Sequence, residues 1–328
     1  MSFHILTAAD VRAALPMPAA IDAMRKAFSL LSAGEADMPL RTMLQIPKHA
    51  GRVLVMPAYL HIGNRLGAKI LSAFPNNPDL ELPAIHALVV LINAATGQPE
   101  ALLEGTALTA IRTGAASGLA TDLLSRPDAA TLALIGSGAQ ARTQLEAVCC
   151  VRRIECVRVY SPHRAHAERF AQELAGRNGA PAAIDVVASA REAIREADII
   201  CTATSSATPV IGPADVRPGT HINGIGSYTP DMREVDPELV KQSRVIVDQR
   251  QAALAEAGEV IACIANGALQ ESQLIELGEV VNGVRPGRTH PEQITFFKSV
   301  GLAAQDIAAA QQALTAALHK KIGVSVNL

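Results

Sequence analysis

Thr131-Leu132-Ala133-Leu134-Ile135-Gly136-Ser137-Gly138-Ala139-Gln140-Ala141 reads as a mostly apolar strand, a glycine turn and the first turn of a helix. The turn has the form G-x-G-x-x-A. In that form Gly136 permits a tight bend, Gly138 lets backbone N–H groups approach a pyrophosphate, and small Ala141 lets helix and strand pack closely. Ser137, Ala139 and Gln140 complete the loop, and the positive end of the helix favours phosphate charge. An ordinary strand-to-helix turn can carry the same glycines, so the flanking sequence has to decide. Downstream the pattern predicts a helix over 139–148, a strand over 156–160, a helix over 164–175, a strand over 184–187, a helix over 189–196 and a strand over 198–203. Apolar runs at 221–225 and 244–247 extend the series, and 294–318 reads as one Ala-rich helix. Strands alternating with helices at this spacing mean βαβ units and a parallel sheet, which favours dinucleotide binding at the glycine turn.

The end of the second strand bears on which dinucleotide. An acid there would bind the ribose diol of NAD. The chain instead continues Tyr160-Ser161-Pro162-His163-Arg164, without an acid. Ser161, His163 and Arg164, helped by Arg142, suit a 2′-phosphate, so NADP(H) is favoured and NAD(H) stays open. The competing reading is a solvated loop and helix start.

Upstream the grammar differs. Residues 8–33 read as helices, with Ile21, Met24, Phe28 and Leu31 on one face. Short β-prone runs follow at 43–46, 52–56, 66–71 and 85–92, separated by Pro47, Asn76-Asn77-Pro78 and Thr96-Gly97-Gln98-Pro99. These predict a mainly antiparallel sheet with helices on one side. A helix over 108–124 leads to the stop Arg126-Pro127-Asp128.

Composition narrows the function. The 328 residues are 49% hydrophobic, enough for two packed domains, and carry a formal net charge of −2. That charge leaves no footprint for nucleic acid or an acidic membrane surface. Aromatics are 3% with no Trp, which argues against stacking platforms. No apolar run reaches membrane-spanning length, and the start lacks a signal-peptide pattern. Five cysteines without a C-x-x-C pair fit a reducing compartment, so a cytoplasmic location is expected. The histidines have no metal-ligand spacing, and no G-x-S-x-G elbow suggests a hydrolase.

Charge is uneven within that neutral total. Residues 38–78 contain Arg41, Lys48, Arg52, Arg65 and Lys69 but no Asp or Glu. A single Lys in a strand usually sits on a solvent face. Several cations in one acid-free window suggest a carboxylate site, with Arg112 on the following helix as a further member.

The segments LTAIRTGAASGLATDLL (108–124), GSGAQART (136–143), HINGIGSYTPDMREVD (221–236) and FFKSVGLAAQDIAAA (296–310) resemble the ornithine cyclodeaminase/μ-crystallin family. The resemblance runs nearly end to end. It implies an α/β fold: a Rossmann NAD(P)-binding domain, 118–303, inserted in an α+β substrate-binding and dimerisation domain, 1–117 with 304–328. It implies a homodimer, and it places Arg41, Lys69 and Arg112 on the substrate carboxylate and Thr113 at the cofactor. Two acids of the cyclodeaminases are missing: Leu54 stands in place of a Glu, and Tyr228 in place of an Asp.

Cyclodeamination must bind one amino group and release another, work that suits carboxylates. Reduction of a preformed cyclic imine asks only for a carboxylate clamp, a hydride donor and a proton. The expected activity is therefore NAD(P)H-dependent reduction of small cyclic 2-imino acids such as 1-pyrroline-2-carboxylate or 1-piperideine-2-carboxylate. Lys69 is the first candidate proton donor, with water or the Tyr228 hydroxyl next, while Arg52 and His86 are cleft candidates without an assigned role. The alternatives are an ornithine cyclodeaminase recycling NAD, and a crystallin-like protein that binds NADPH without turnover.

Overall fold

A computed structural model describes residues 2–327. In chain order the elements begin β1 (Ser2–Leu6), α1 (Ala8–Ala14), α2 (Met17–Ser32), β2 (Ala36–Asp37), β3 (Thr42–Ile46), β4 (Gly51–Leu60), β5 (Arg65–Ala73), β6 (Ile85–Asn93), β7 (Pro99–Glu104) and α3 (Gly105–Leu124). Next come β8 (Thr131–Ile135), α4 (Ala139–Val151), β9 (Cys156–Tyr160), α5 (Arg164–Leu174), β10 (Asp185–Val186), α6 (Ala190–Ile194), β11 (Ile199–Thr202) and β12 (His221–Gly224). The chain then forms α7 (Pro237–Gln242), β13 (Arg244–Val247), α8 (Arg250–Glu256), α9 (Gly258–Ala265), β14 (Ile275–Glu276), α10 (Leu277–Val281), β15 (Thr295–Lys298), α11 (Ala303–Lys320) and β16 (Val324–Asn327). It divides into two compact units, Met1–Arg112 with Leu302–Leu328, and Thr113–Gly301.

In the first unit the strand order is β16-β1-β7-β6-β5-β4-β2, with β3 also on β4. All pairs are antiparallel except β1 with β7. Alternation sets the two faces. Leu54, Met56, Ala58 and Leu60 of β4 and Ala87, Val89 and Leu91 of β6 are buried, on the strands that pack under α11, which in turn packs against α2. Helix α11 lies close because its buried face is Ala303, Ala304, Ala308, Ala309, Ala310 and Ala313, with few bulky side chains to hold it off. On α2, Ile21, Met24 and Phe28 are buried as their spacing predicts, after Pro16 starts the helix.

The second unit is a parallel sheet in the order β10-β9-β8-β11-β12-β15-β13-β14. Strands β9 and β11 leave β8 on opposite sides, the doubly wound order of a Rossmann fold, with its switch point between β8 and β11. Leu132, Leu134, Val157, Val159, Phe170 and Ile199 belong to one core layer against α4 and α5. Truncating a fully buried ring such as Phe170 to Ala would cost about 3–5 kcal/mol.

The expectation of a single helix over 294–318 is corrected. Thr295–Lys298 is a buried strand between β12 and β13, and the helix begins at Ala303. The run Thr295-Phe296-Phe297 is β-branched and aromatic, and its two-sided burial hides the period-2 signal. Strands β1, β2, β7, β14 and β16 are additions to the expected set. Among the described residues no helix is long and apolar enough to cross a membrane.

Candidate functional site

In the first unit, strand alternation turns Lys69 inward rather than to solvent. Its cross-strand neighbours are Met56 and Val89, both apolar, and the residue is 1% exposed. An unpaired ammonium in such a place would be costly, and the fold answers it with Asp306 in the first turn of α11. Lys69 Nζ lies 2.7 Å from Asp306 Oδ2, and Arg112 Nε donates to Oδ1 at 2.9 Å. Arg112 Nη1 also donates to Gln305 Oε1 at 2.9 Å, and the same oxygen accepts from the backbone N–H of Leu302. The helix N-terminus adds favourable potential for the Asp306 charge.

Burial is the largest influence on Lys69 and lowers its pKa. Asp306 opposes that, Arg112 and Arg41 reinforce it, and the outcome is about 8. Burial works against the Asp306 charge, but Lys69 and Arg112 outweigh it and hold the carboxyl below its usual range. Arg41, Lys69 and Arg112 therefore act on one small region, with Asp306 as its buried acid. Leu54 is on the same inner face as Lys69, two residues from Met56, and is buried. His86 is exposed on the other face, where it pairs in register with Ser72. Arg52 is the second residue of β4, opposite Ala73.

In the second unit, the glycine loop sits at the carboxyl end of β8, at the switch point. Gly136 has φ +111°, and a Cβ there would lie 2.4 Å from the carbonyl oxygen of Ala203, just beyond β11. Gly138 caps α4 without a side-chain hydrogen bond, and a Cβ on it would meet open space. Ser137 is partly exposed beside it, and Ala139 and Gln140 begin the helix. This cradle fits a pyrophosphate. Thr113 is buried, and its carbonyl accepts from Gln144 Nε2 at 3.4 Å.

At the end of β9, Ser161 is partly buried while His163 and Arg164 are exposed. Arg164 Nε donates to Glu168 at 2.8 Å, and Arg142 pairs with Glu173. Each cation already has a carboxylate partner on the protein surface. Tyr228 is 37% exposed in the loop after β12.

Beneath that loop lies a set of buried charges to which the sequence motifs assigned no role. Glu234 accepts from the backbone N–H groups of Thr204 and Gly226, each at 2.6 Å, from Ser227 N at 3.2 Å and from Thr202 Oγ1 at 3.0 Å. Burial is the main influence on its carboxyl and raises its pKa. Lys298, at the end of β15, donates to the Ser227 carbonyl at 2.6 Å and lies 3.6 Å from Glu259 Oε2. Glu259 Oε1 accepts from Glu234 N at 3.0 Å. The ends of β11, β12 and β15 are thereby tied together at the carboxyl edge of the sheet. Gly226 admits this closeness, since a Cβ there would lie 2.0 Å from the Thr204 carbonyl. Glu234, Lys298, Gln305 and Asp306 lie within the segments 221–236 and 296–310 quoted for the family resemblance but carry no role there, and Glu259 lies outside them. The signal available was the acid in an otherwise apolar Ala-rich helix start.

Residues 1–321 match the Ornithine cyclodeaminase/mu-crystallin family. A Delta(1)-pyrroline-2-carboxylate reductase of Bacillus cereus is 38% identical over 325 residues, 98% of this chain and 99% of the relative. The solved structure of Thermococcus litoralis Delta(1)-pyrroline-2-carboxylate reductase in complex with NADH and L-proline is similar at TM-score 0.94 and 41% identity, covering 98% of this chain and all of that one (100%). An archaeal alanine dehydrogenase dimer with bound NAD is similar at TM-score 0.92 and 36% identity, covering 100% of both chains.

Proposed function

The chain belongs to the ornithine cyclodeaminase/mu-crystallin family, and from that premise we propose that it is an NAD(P)H-dependent reductase of small cyclic 2-imino acids, 1-pyrroline-2-carboxylate foremost. The observation that carries the reading is the buried Lys69–Asp306–Arg112 cluster, whose inner face offers Leu54 where a cyclodeaminase would need an acid. Arg41 and Arg112 supply the charge for a substrate carboxylate, and bidentate guanidinium geometry fixes its orientation. Gly136, Ser137, Gly138, Ala139 and Gln140 would hold a reduced nicotinamide dinucleotide, which would supply the hydride for the imine carbon beside that carboxylate. Lys69, with its pKa of about 8, is largely protonated at neutral pH and gives a proton to the ring nitrogen. Asp306 keeps that ammonium charged despite burial and holds Arg112 in place. Tyr228 is the second donor candidate, and Thr113 and the loop over Glu234 belong to the cofactor side.

The absence of a carboxylate at the end of β9 supports NADPH as the preferred donor, with Ser161, His163 and exposed Arg164 toward the 2′-phosphate. We further read the active form as a homodimer. Val55, Ile70 and Leu88 are exposed cross-strand neighbours on the outer face of the first sheet, and Leu44 is 65% exposed nearby. A second copy of the chain would cover such an apolar face.

Steady-state assays with 1-pyrroline-2-carboxylate and each reduced nucleotide test the reading. Substrate-dependent nucleotide oxidation is expected, and its absence with both nucleotides would reject a reductase. Ammonia and proline from ornithine without net NADH would indicate a cyclodeaminase instead. Ser161→Asp should lower kcat/KM with NADPH more than with NADH; equal effects would remove the 2′-phosphate assignment.

A further inference from the structure

The second unit has another built feature, at the amino edge of its parallel sheet, the edge opposite Gly136 and Gly226. A cavity of about 510 Å³ opens there, lined among others by Lys241, Ser243, Arg244, Gln273, Arg285 and His290. Arg244 begins β13, and residues leading into β12 and β15 complete the wall. The lining has one acid, Glu292, and it forms no ion pair with either arginine. Lys241 pairs with Glu238 at 3.5 Å on the surface of α7. Neither guanidinium has a carboxylate partner among the described residues. Arg244 Nη2 donates to the Pro286 carbonyl at 2.7 Å, and Arg285 Nη1 reaches the Ser272 carbonyl at 3.4 Å.

Those two bonds account for one donor on each guanidinium, out of five. Arg244 Nε is buried without a hydrogen-bond partner. Burial lowers the Arg244 pKa, and the neighbouring Arg285 charge lowers it further, so the two cations repel one another across the cavity. A protein with no use for this arrangement would gain by placing an acid between them. An incoming anion would relieve the repulsion.

We propose that this cavity binds a multiply charged oxyanion of small-metabolite size, a polycarboxylate or a phosphate ester, in a bidentate clamp between Arg244 and Arg285. Ser243 and Gln273 add neutral donors in its wall. The volume exceeds what inorganic phosphate fills and suits a ligand such as citrate. The site is independent of the carboxylate cluster at Lys69, because different elements of a different unit build it.

Calorimetric titration of the full chain tests this, with citrate and inorganic phosphate as separate probes at constant ionic strength and with NADH present to fill the glycine loop. Saturable binding of at least one probe is expected. Arg244→Met and Arg285→Met, each checked for folding by its melting temperature, should each weaken binding by about tenfold or more. Arg112→Met should leave it unchanged, and turnover of the two cavity variants without added anion should match the parent chain. Tighter citrate binding assigns a carboxylate ligand, and tighter phosphate binding a phosphate ester. Binding of neither probe, or binding that survives both cavity variants, overturns the proposal. Loss of binding in Arg112→Met alone would place the anion at the substrate cluster and also overturns it.

Discussion

Lys69 illustrates how one residue's environment sets its chemistry. An ammonium between Met56 and Val89 is strongly desolvated, and only Asp306 at 2.7 Å keeps it cationic near neutral pH. Replacing Asp306 by Asn removes the influence that raises the Lys69 pKa while leaving burial, Arg112 and Arg41 to lower it. The alkaline limb of the kcat/KM profile should therefore move from about pH 8 to lower pH. The same variant should lose stability, since breaking a buried ion pair costs about 3–5 kcal/mol. A pH–rate series alongside thermal melts checks both, and an unmoved alkaline limb would remove Lys69 as the titrating donor. Arg41 and Lys69 stood out in the sequence as cations in an acid-free, apolar window, and the family resemblance singled them out together with Arg112. Asp306 did not stand out, because it lies 194 positions from Arg112 and only the fold brings them together.

The two loop glycines should respond differently to alanine. In Gly136→Ala the new Cβ meets the Ala203 carbonyl, and a positive φ adds strain of about 1–3 kcal/mol, so melting temperature and nucleotide affinity should both fall. Gly138→Ala meets no protein atom, so its melting temperature should hold while NADH affinity drops by about tenfold or more. Fluorescence titration reads this with little protein background, since the chain has no Trp. Glu234 joins the ends of β11 and β12 through four donors. Glu234→Gln supplies one acceptor oxygen where a carboxylate has two, so it should cost stability and lower kcat more than it raises KM for the imine. An effect on KM alone would separate the loop from the reacting centre. At this scale the glycine turn and the βα alternation were readable, because backbone geometry demands particular residues locally. The strand at Thr295–Lys298 was not, because a strand buried on both faces shows no alternation to separate it from the helix that follows.

For the whole molecule, the outer face of the first sheet and the acid groups beneath the second set two expectations. Ile70→Asp puts a charge in the middle of the Val55–Ile70–Leu88 ladder without touching the buried face. Light scattering should then report a monomer, against the dimer proposed for the parent chain; an unchanged mass would place the interface elsewhere. Asp198 is the second case. Burial opposes its charge, but the N–H groups of Ala130 and Thr131 together with Arg217 and Arg126 outweigh that and lower its pKa. The unfolded chain thus binds more protons than the folded one as pH falls through the carboxylate range, and stability contributed by Asp198 is lost there. Asp198→Asn should be less stable at neutral pH and show a flatter decline in melting temperature on acidification.

The missing acid at Leu54 stood out through the family resemblance. The glycine cradle, the parallel sheet behind it and the acid-free cationic window are written in the amino-acid sequence. Each of these is a local matter of backbone permissiveness, hydrophobic period or charge count. Packing in three dimensions turns Lys69 inward onto Asp306, joins three strand ends through Glu234, Glu259 and Lys298, and brings Arg244 and Arg285 to one cavity. Those pairings join residues far apart in the chain, and the energy of a buried charge depends on which partner packing brings to it.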